Sequence, residues 1–213
     1  MELKSDEILK KLFLKRGFVE SSSFIGIKEV KQIKLIYDQI LDDLEGSAYL
    51  RSDLSGKGQV GEEKITQIMC PSNLVKTLKK SETYKKALSH AQYFLGEDMS
   101  LDFDMLINKR PYTDTPTPLH QDGAYWIKMP DKRAASCWIA IDDAIKENGC
   151  MWFIPREKFE IEPHHASILG GALSCEISKE NAVCIPLASG GATFHDGFTP
   201  HFSEGNITKS HRR

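Results

Sequence analysis

The sequence predicts an α+β chain, with helices first and then a mainly β core of the sandwich, jelly-roll or barrel kind. Three observations predict it. Apolar residues recur at helical spacing over residues 1–96. After Gly96 the texture changes to short alternating or apolar runs separated by glycine-rich turns. These runs follow the helices instead of alternating with them, which disfavours a doubly wound parallel sheet. A chain of 213 residues fits one domain, residues 1–213, and buries enough surface to fold without disulfides.

Taken in order, Asp6 to Arg16 places Ile8, Leu9, Leu12 and Phe13 on one helical face, with Gly17 as the stop. Lys28 to Leu44 repeats Val30, Ile33, Tyr37, Ile40, Leu41 and Leu44, a second amphipathic helix ending near Gly46. Ser47 to Gly61 is polar and glycine-containing and is expected to be a surface loop. A third helical region runs from Asn73 to Leu95, with Ser81 placed to cap its second part. Leu101, Phe103, Met105 and Ile107 alternate with polar residues as a strand does. Further strands are expected at Cys137 to Ile141, Cys150 to Ile154, Ala182 to Leu187 and Ala192 to His195. The turns between them are Glu147-Asn148-Gly149, Ser189-Gly190-Gly191 and Glu204-Gly205-Asn206.

Composition narrows the function classes. The apolar fraction is 40% and the charged fraction 27%, with a net charge of -2, which excludes collagen-like and disordered classes. No basic patch points to nucleic acid or a lipid surface, so neither partner is expected. No run of apolar residues is long enough to span a bilayer. The start lacks the basic and apolar regions of a secretory signal, and Ser210-His211-Arg212-Arg213 is not a peroxisomal tag. The five cysteines include no C-x-x-C pair, so reduced thiols and a cytoplasmic location are expected.

The chemistry is concentrated in the β half. His120 and Asp122 stand two apart, after Thr115-Pro116-Thr117-Pro118-Leu119. In extended backbone such residues share a face, so an imidazole and a carboxylate can meet one metal ion. A third ligand from a distant strand would complete a two-histidine, one-carboxylate face, which suits non-haem Fe(II) and leaves positions open. His195 and His201 are both candidates for it. Arg212 follows His201 by eleven residues, and its planar fork suits a carboxylate. A metal with open positions beside such a clamp suggests a chelating keto acid.

From Asp102 onward the sequence resembles the phytanoyl-CoA dioxygenase family of Fe(II)- and 2-oxoglutarate-dependent oxygenases. Four ordered blocks carry the resemblance, with a tail: Met105-Leu106-Ile107-Asn108-Lys109, Pro118-Leu119-His120-Gln121-Asp122, Cys137-Trp138-Ile139-Ala140-Ile141, Glu147 to Pro155, and His201, Ser203, Asn206 and Arg212. The resemblance implies a double-stranded β-helix, a cupin-like jelly-roll barrel spanning 97–213 behind the helical flank of 1–96. It implies that His120, Asp122 and His201 hold Fe(II) and that Arg212 grips the far carboxylate of 2-oxoglutarate. Met105, Gln121, Trp138 and Ser203 fall where the family lines its cosubstrate pocket. It further implies an O2-consuming hydroxylation of a small organic molecule, with release of succinate and CO2. Desaturation or cyclisation by the same centre and a catalytically silent binding barrel are the alternatives. Asp122 argues for hydroxylation over halogenation, because halogenating relatives carry a small residue there.

His195 would then stand beside the site, orienting a ligand or a water. Family members continue past this arginine, so the last strand is expected to be incomplete at Arg213. Pro155 is followed by Arg156-Glu157-Lys158 where many members have Gly-Ser-His. Tyr125 and Trp126 are balanced between strand packing and a substrate pocket. Trp152 and Phe153 are expected in the core, and His164 and His165 in a loop as a solvated pair.

Overall fold

The computed structural model describes residues 2–56, 58–126, 129–166 and 171–213. Its helices are α1 (Glu2–Arg16), α2 (Ile27–Asp42), α3 (Leu44–Ser47), α4 (Pro71–Leu74) and α5 (Glu82–Leu95). The strands of the first half are β1 (Phe18–Ser21), β2 (Arg51–Asp53), β3 (Ile65–Met69), β4 (Met105–Lys109) and β5 (Thr117–His120). Those of the second half are β6 (Ala135–Ile139), β7 (Met151–Phe153), β8 (His164–Ala166), β9 (Leu173–Cys175), β10 (Val183–Ile185), β11 (Ala192–Asp196) and β12 (His201–Ser203).

The strands pair antiparallel in the orders β1-β11-β6, β10-β7-β12-β5, β2-β3-β4 and β8-β9. The first two sheets lie face to face. Phe18 of β1 stacks on Phe153 of β7 at 4.8 Å between ring centroids, and both are fully buried. Ala140, Cys150, Met151, Ile185 and Leu187 complete this inner core. The β2-β3-β4 sheet joins the core where Lys109 and Arg212 exchange backbone hydrogen bonds of 2.9 and 3.1 Å.

The helices exist to cover an outer sheet face. Along β11, successive side chains point to opposite sides. Phe194 and Ala192 point outward into a cluster with Phe13 of α1, Val30 and Ile33 of α2, and Phe94 of α5. Phe13 stacks on Phe94 at 4.7 Å and Phe194 meets Phe94 edge-on at 5.5 Å. Each such buried aromatic contributes about 1.5–3 kcal/mol. Thr193 and His195 take the opposite, inner face. With both faces covered, every residue of β11 is buried.

α2 and α5 follow the predicted patterns, and Ser81 Oγ accepts from Tyr84 N at the start of α5. Other details differ. Among the α1 residues whose burial is described, only Phe13 is fully buried; Leu9 is partly buried, whereas Ile8 and Leu12 are exposed. One turn separates Leu9 from Phe13, and that narrow stripe meets the sheet. Residues 71–80 form α4 and a short 3-10 turn instead of one continuous helix. Three strands, β1 to β3, lie in the stretch expected to be a helical flank. The expected loop 47–61 contains β2, whose Asp53 carboxylate accepts from Ser55, Gly58, Lys64 and Ile65 and so orders the turn. The strand expected from Leu101 begins only at Met105. Its partner β3 ends opposite, at Met69, where the chain turns into Pro71, and Asp104 spends its carboxylate on Ser72 and Tyr84.

Gly17 joins α1 to β1 with φ +88°, a conformation that favours glycine. A Cβ there would overlap Thr199 Oγ1, which donates to the Gly17 carbonyl at 2.9 Å. The N-terminal helix is thereby docked against the segment leading into β12.

Candidate metal centre

Strand register builds the site. β12 pairs with β5 so that His201 stands directly opposite His120, with ring centroids 4.3 Å apart. β5 ends at His120, and Asp122 opens a 3-10 turn over 122–125 that swings its carboxylate back toward both rings. Asp122 Oδ1 lies 3.6 Å from His120 Nε2 and 3.5 Å from His201 Nε2. The ligand atoms of the three residues all lie within 4.8 Å of one another.

Hydrogen bonds assign the ring tautomers. His120 Nδ1 donates to Pro118 O at 2.8 Å and His201 Nδ1 to Thr199 O at 3.0 Å. In each case the acceptor is the carbonyl two residues back. With the proton on Nδ1, each Nε2 presents a lone pair to the Asp122 carboxylate. Three acceptors therefore converge with no hydrogen between them, an arrangement that repels itself unless a cation or protons intervene. Two neutral imidazoles and one carboxylate oxygen fit a divalent first-row metal.

Burial shapes the charges. For the Asp122 carboxyl, burial works upward, but the surrounding imidazoles of His201, His120 and His195 outweigh it and hold the group well below the ordinary range. Burial, with His120 and His195 alongside, pushes His201 well below the ordinary imidazole value, which favours the neutral, ligating form.

His195, the other candidate, is not among the converging acceptors. Its Nε2 contacts the far oxygen, Asp122 Oδ2, at 3.1 Å. Arg212 is almost completely buried; its Nε donates to Gly149 O at 2.9 Å, Nη2 donates to the same oxygen, and its guanidinium lies 5.2 Å from the Trp138 ring centre. Gly149 sits at φ +86° with the backbone of Glu204 where a Cβ would be, so the carbonyl that anchors Arg212 requires glycine there. Ser203 is buried on β12, on the same face as His201. Met105 shares the face of β4 opposite Leu106, and its sulfur accepts from Gln67 Nε2.

Gln121 stands apart from the others. Its side-chain amide donates to Glu160 O and Phe198 O and accepts from Glu162 N, which ties the 160–162 segment to the turn after β11. The structure gives it a tethering place, because alternation turns it away from the face shared by His120 and Asp122. His164 is not solvated with His165 as expected. It lies in β8, donates from Nδ1 to Glu162 O at 2.6 Å, and accepts Gln121 N on Nε2 at 3.0 Å. Tyr125 is half-exposed and edge-on to His120 at 6.1 Å, and its hydroxyl accepts from Leu173 N.

Sequence reasoning gave no role to two residues. Ser136 donates to Asp122 Oδ2 at 2.6 Å. Lys109 is fully buried and donates to Thr115 O at 2.9 Å and Glu204 O at 2.7 Å. A lysine closing an apolar strand was the available signal for the second; a serine in a polar linker gave none for the first. Burial and then Arg212 hold the Lys109 ammonium well below its ordinary value. Burial pushes Arg212 down to about 10, so it stays charged at neutral pH. Neither side chain forms a salt bridge with a carboxylate among the described residues, although the Glu204 charge works upward on Lys109.

Comparison with known proteins agrees with this site. The family model for phytanoyl-CoA dioxygenase (PhyH) matches residues 13–213. A Bos taurus protein, "Phytanoyl-CoA dioxygenase domain-containing protein 1", is 30% identical over 139 residues; the match takes in 59% of this chain and 48% of that protein. The chain therefore spans about half the length of that relative. The structure of EvdO2 from Micromonospora carbonacea var. aurantiaca complexed with 2-oxoglutarate is 28% identical, with TM-score 0.75, covering 96% of this chain and 86% of that one. The non-heme alpha ketoglutarate dependent epimerase SnoN, 21% identical with TM-score 0.78 over 99% of this chain and 80% of its own, shares the fold. Among the described residues no helix is long and apolar enough to cross a membrane. The jelly-roll sheets, the converging histidines and aspartate, and a family match over nearly the whole sequence lead to one conclusion: this chain belongs to the phytanoyl-CoA dioxygenase family.

Proposed function

We propose that this protein is an Fe(II)- and 2-oxoglutarate-dependent oxygenase that hydroxylates a small organic molecule, releasing succinate and CO2. The observation that carries the reading is the convergence of two imidazole lone pairs and one carboxylate oxygen with no hydrogen among them. His120, Asp122 and His201 would hold the iron. Bound iron would supply the activation of O2 and the oxidative decarboxylation of the keto acid. The chain's own residues bind, orient and exclude water. Arg212 keeps donors beyond those spent on Gly149 O, and these would take the far carboxylate of 2-oxoglutarate. Arg212 is a buried cation that forms no salt bridge among the described residues, a cost that a bound dicarboxylate would offset. Ser203, Trp138 and Met105 would line the same pocket. Gln121 would shape it from behind, through its hold on Glu160, Glu162 and Phe198. The complex of EvdO2 with 2-oxoglutarate, on the same fold, supports the cosubstrate.

A second reading has a specific support. Solved structures of this fold include an epimerase and a carbocyclase, so desaturation or cyclisation at the same centre is the alternative outcome, read from the product's mass. The test is anaerobic addition of 2-oxoglutarate to the Fe(II)-loaded protein. A visible charge-transfer band that needs both components and is lost in Asp122→Ala is expected, followed by substrate-dependent succinate release. A folded protein with no band would replace this reading with a silent binding barrel.

A further inference from the structure

We infer that Ser136 and His195 form a two-strand clamp that holds Asp122 as a one-oxygen metal ligand. The inference rests on the metal reading above and concerns residues outside its ligand set. Ser136 on β6 and His195 on β11 are direct register partners. Side chains so placed on one face have Cβ atoms about 4.5–5.5 Å apart, close enough to reach one atom. Both reach Asp122 Oδ2, Ser136 Oγ at 2.6 Å and His195 Nε2 at 3.1 Å.

The two carboxylate oxygens are thereby made different. Oδ2 is tied to the β6–β11 pair by two contacts. Oδ1 accepts from no donor among the described residues and faces the Nε2 atoms of His120 and His201. The carboxylate cannot turn its second oxygen to the same centre without breaking both contacts to Oδ2. A carboxylate binding through both oxygens would take a further coordination position, one that the cosubstrate or O2 needs. The clamp keeps that position free.

The tautomer of His195 supports this role. His120 and His201 each carry the proton on Nδ1. His195 Nε2 lies 3.1 Å from a carboxylate oxygen, which accepts, and its buried Nδ1 has no hydrogen-bond partner among the described residues, so the ring proton belongs on Nε2. His195 is thus a donor to the carboxylate and not a third imidazole ligand. Its ring is held in place by Phe153 at 5.2 Å and His201 at 4.4 Å between centroids. The nearness of the His195 and His201 rings therefore reflects packing and not shared ligation. Ser136 and His195 are positioning residues, acting through Asp122.

Metal affinity tests the clamp without turnover. Mn(II) binding is measured by loss of the free-ion magnetic resonance signal, in the parent and in Ser136→Ala, His195→Phe and His195→Gln. Circular dichroism and thermal melting of the metal-free proteins establish folding. Loss of groups that orient a metal ligand typically costs about 10- to 100-fold in metal affinity. Ser136→Ala and His195→Phe are expected to weaken Mn(II) by that range, and His195→Gln, which keeps an N–H donor, to bind within about threefold of the parent. The visible spectrum of the Co(II)-loaded protein is expected to change in Ser136→Ala and to be retained in His195→Gln. If the parent does not bind Mn(II), the metal reading itself fails. If the parent binds and Ser136→Ala binds equally, with an unchanged Co(II) spectrum, the clamp is overturned. A folded His195→Gln as weak as His195→Phe would overturn it too, because the imidazole would then be required as such. Ser136→Ala removes one oxygen atom, so the test does not depend on a bulky change folding.

Discussion

Replacing Arg212 by lysine is the sharpest perturbation of the proposed cosubstrate pocket. The guanidinium is 2% exposed. Two of its nitrogens are committed to Gly149 O, and its remaining donors meet no acceptor among the described residues. Lysine keeps the charge but has one nitrogen on a flexible stem. It cannot hold the Gly149 carbonyl at two points and present a planar fork to a carboxylate as well. One charge-assisted hydrogen bond contributes about 1.5–3 kcal/mol, and each 1.4 kcal/mol is tenfold in affinity. Arg212→Lys should therefore weaken 2-oxoglutarate binding by about 10- to 150-fold. The measurement is anaerobic calorimetry of 2-oxoglutarate binding to the Mn(II)-loaded protein. Metal affinity should change by less than about threefold, since no candidate ligand contacts Arg212. The metal-free protein should lose about 1–3 kcal/mol of stability, the cost of a buried carbonyl stripped of its donors. Unchanged 2-oxoglutarate affinity in a folded variant would refute the assignment of Arg212 to the far carboxylate.

Two further predictions concern the scaffold. Phe153→Ala removes a fully buried ring that stacks on Phe18 and touches His195 and His201; urea unfolding should show a loss of about 3–5 kcal/mol, and a loss under about 1 kcal/mol would show that the two sheets do not depend on this contact. Acid should destabilise the metal-free protein: although burial works the other way, Asp53 is held below the ordinary carboxylate range by hydrogen bonds from Ser55, Ile65 and Lys64, Glu63 by Arg51 and Gly61, and Asp142 by Arg213 and Lys34. Groups whose pKa is lowered by folding contribute stability that is complete above their unfolded values and is lost as pH falls through the folded ones. The urea midpoint should therefore drop between about pH 4.5 and pH 3, and Asp53→Asn should flatten that slope; a slope identical to the parent's would remove Asp53 from the account.

Local chemistry was legible in the sequence, and non-local geometry was not. The helices α2 and α5 were readable because a 3.6-residue period and a serine cap are properties of consecutive residues. The His120–Asp122 pair was readable because the types and spacing of two residues two apart are local too. Boundaries failed where a strand needs a partner: Leu101 to Phe103 alternate properly but pair with no strand among the described residues, whereas β1, β2 and β3 look weak alone and are made strands by their neighbours. The choice between His195 and His201 was likewise not in the residues alone. It follows from a register that sets His201 against His120 and His195 against Ser136. Register also joined Ser136 to Asp122 across 14 positions and Gln121 N to His164 across 43. The sequence by itself determined which functional groups were available. The tertiary structure decided which of them meet and which nitrogen of each ring carries its proton, because only strand pairing and burial select a neighbour for a side chain.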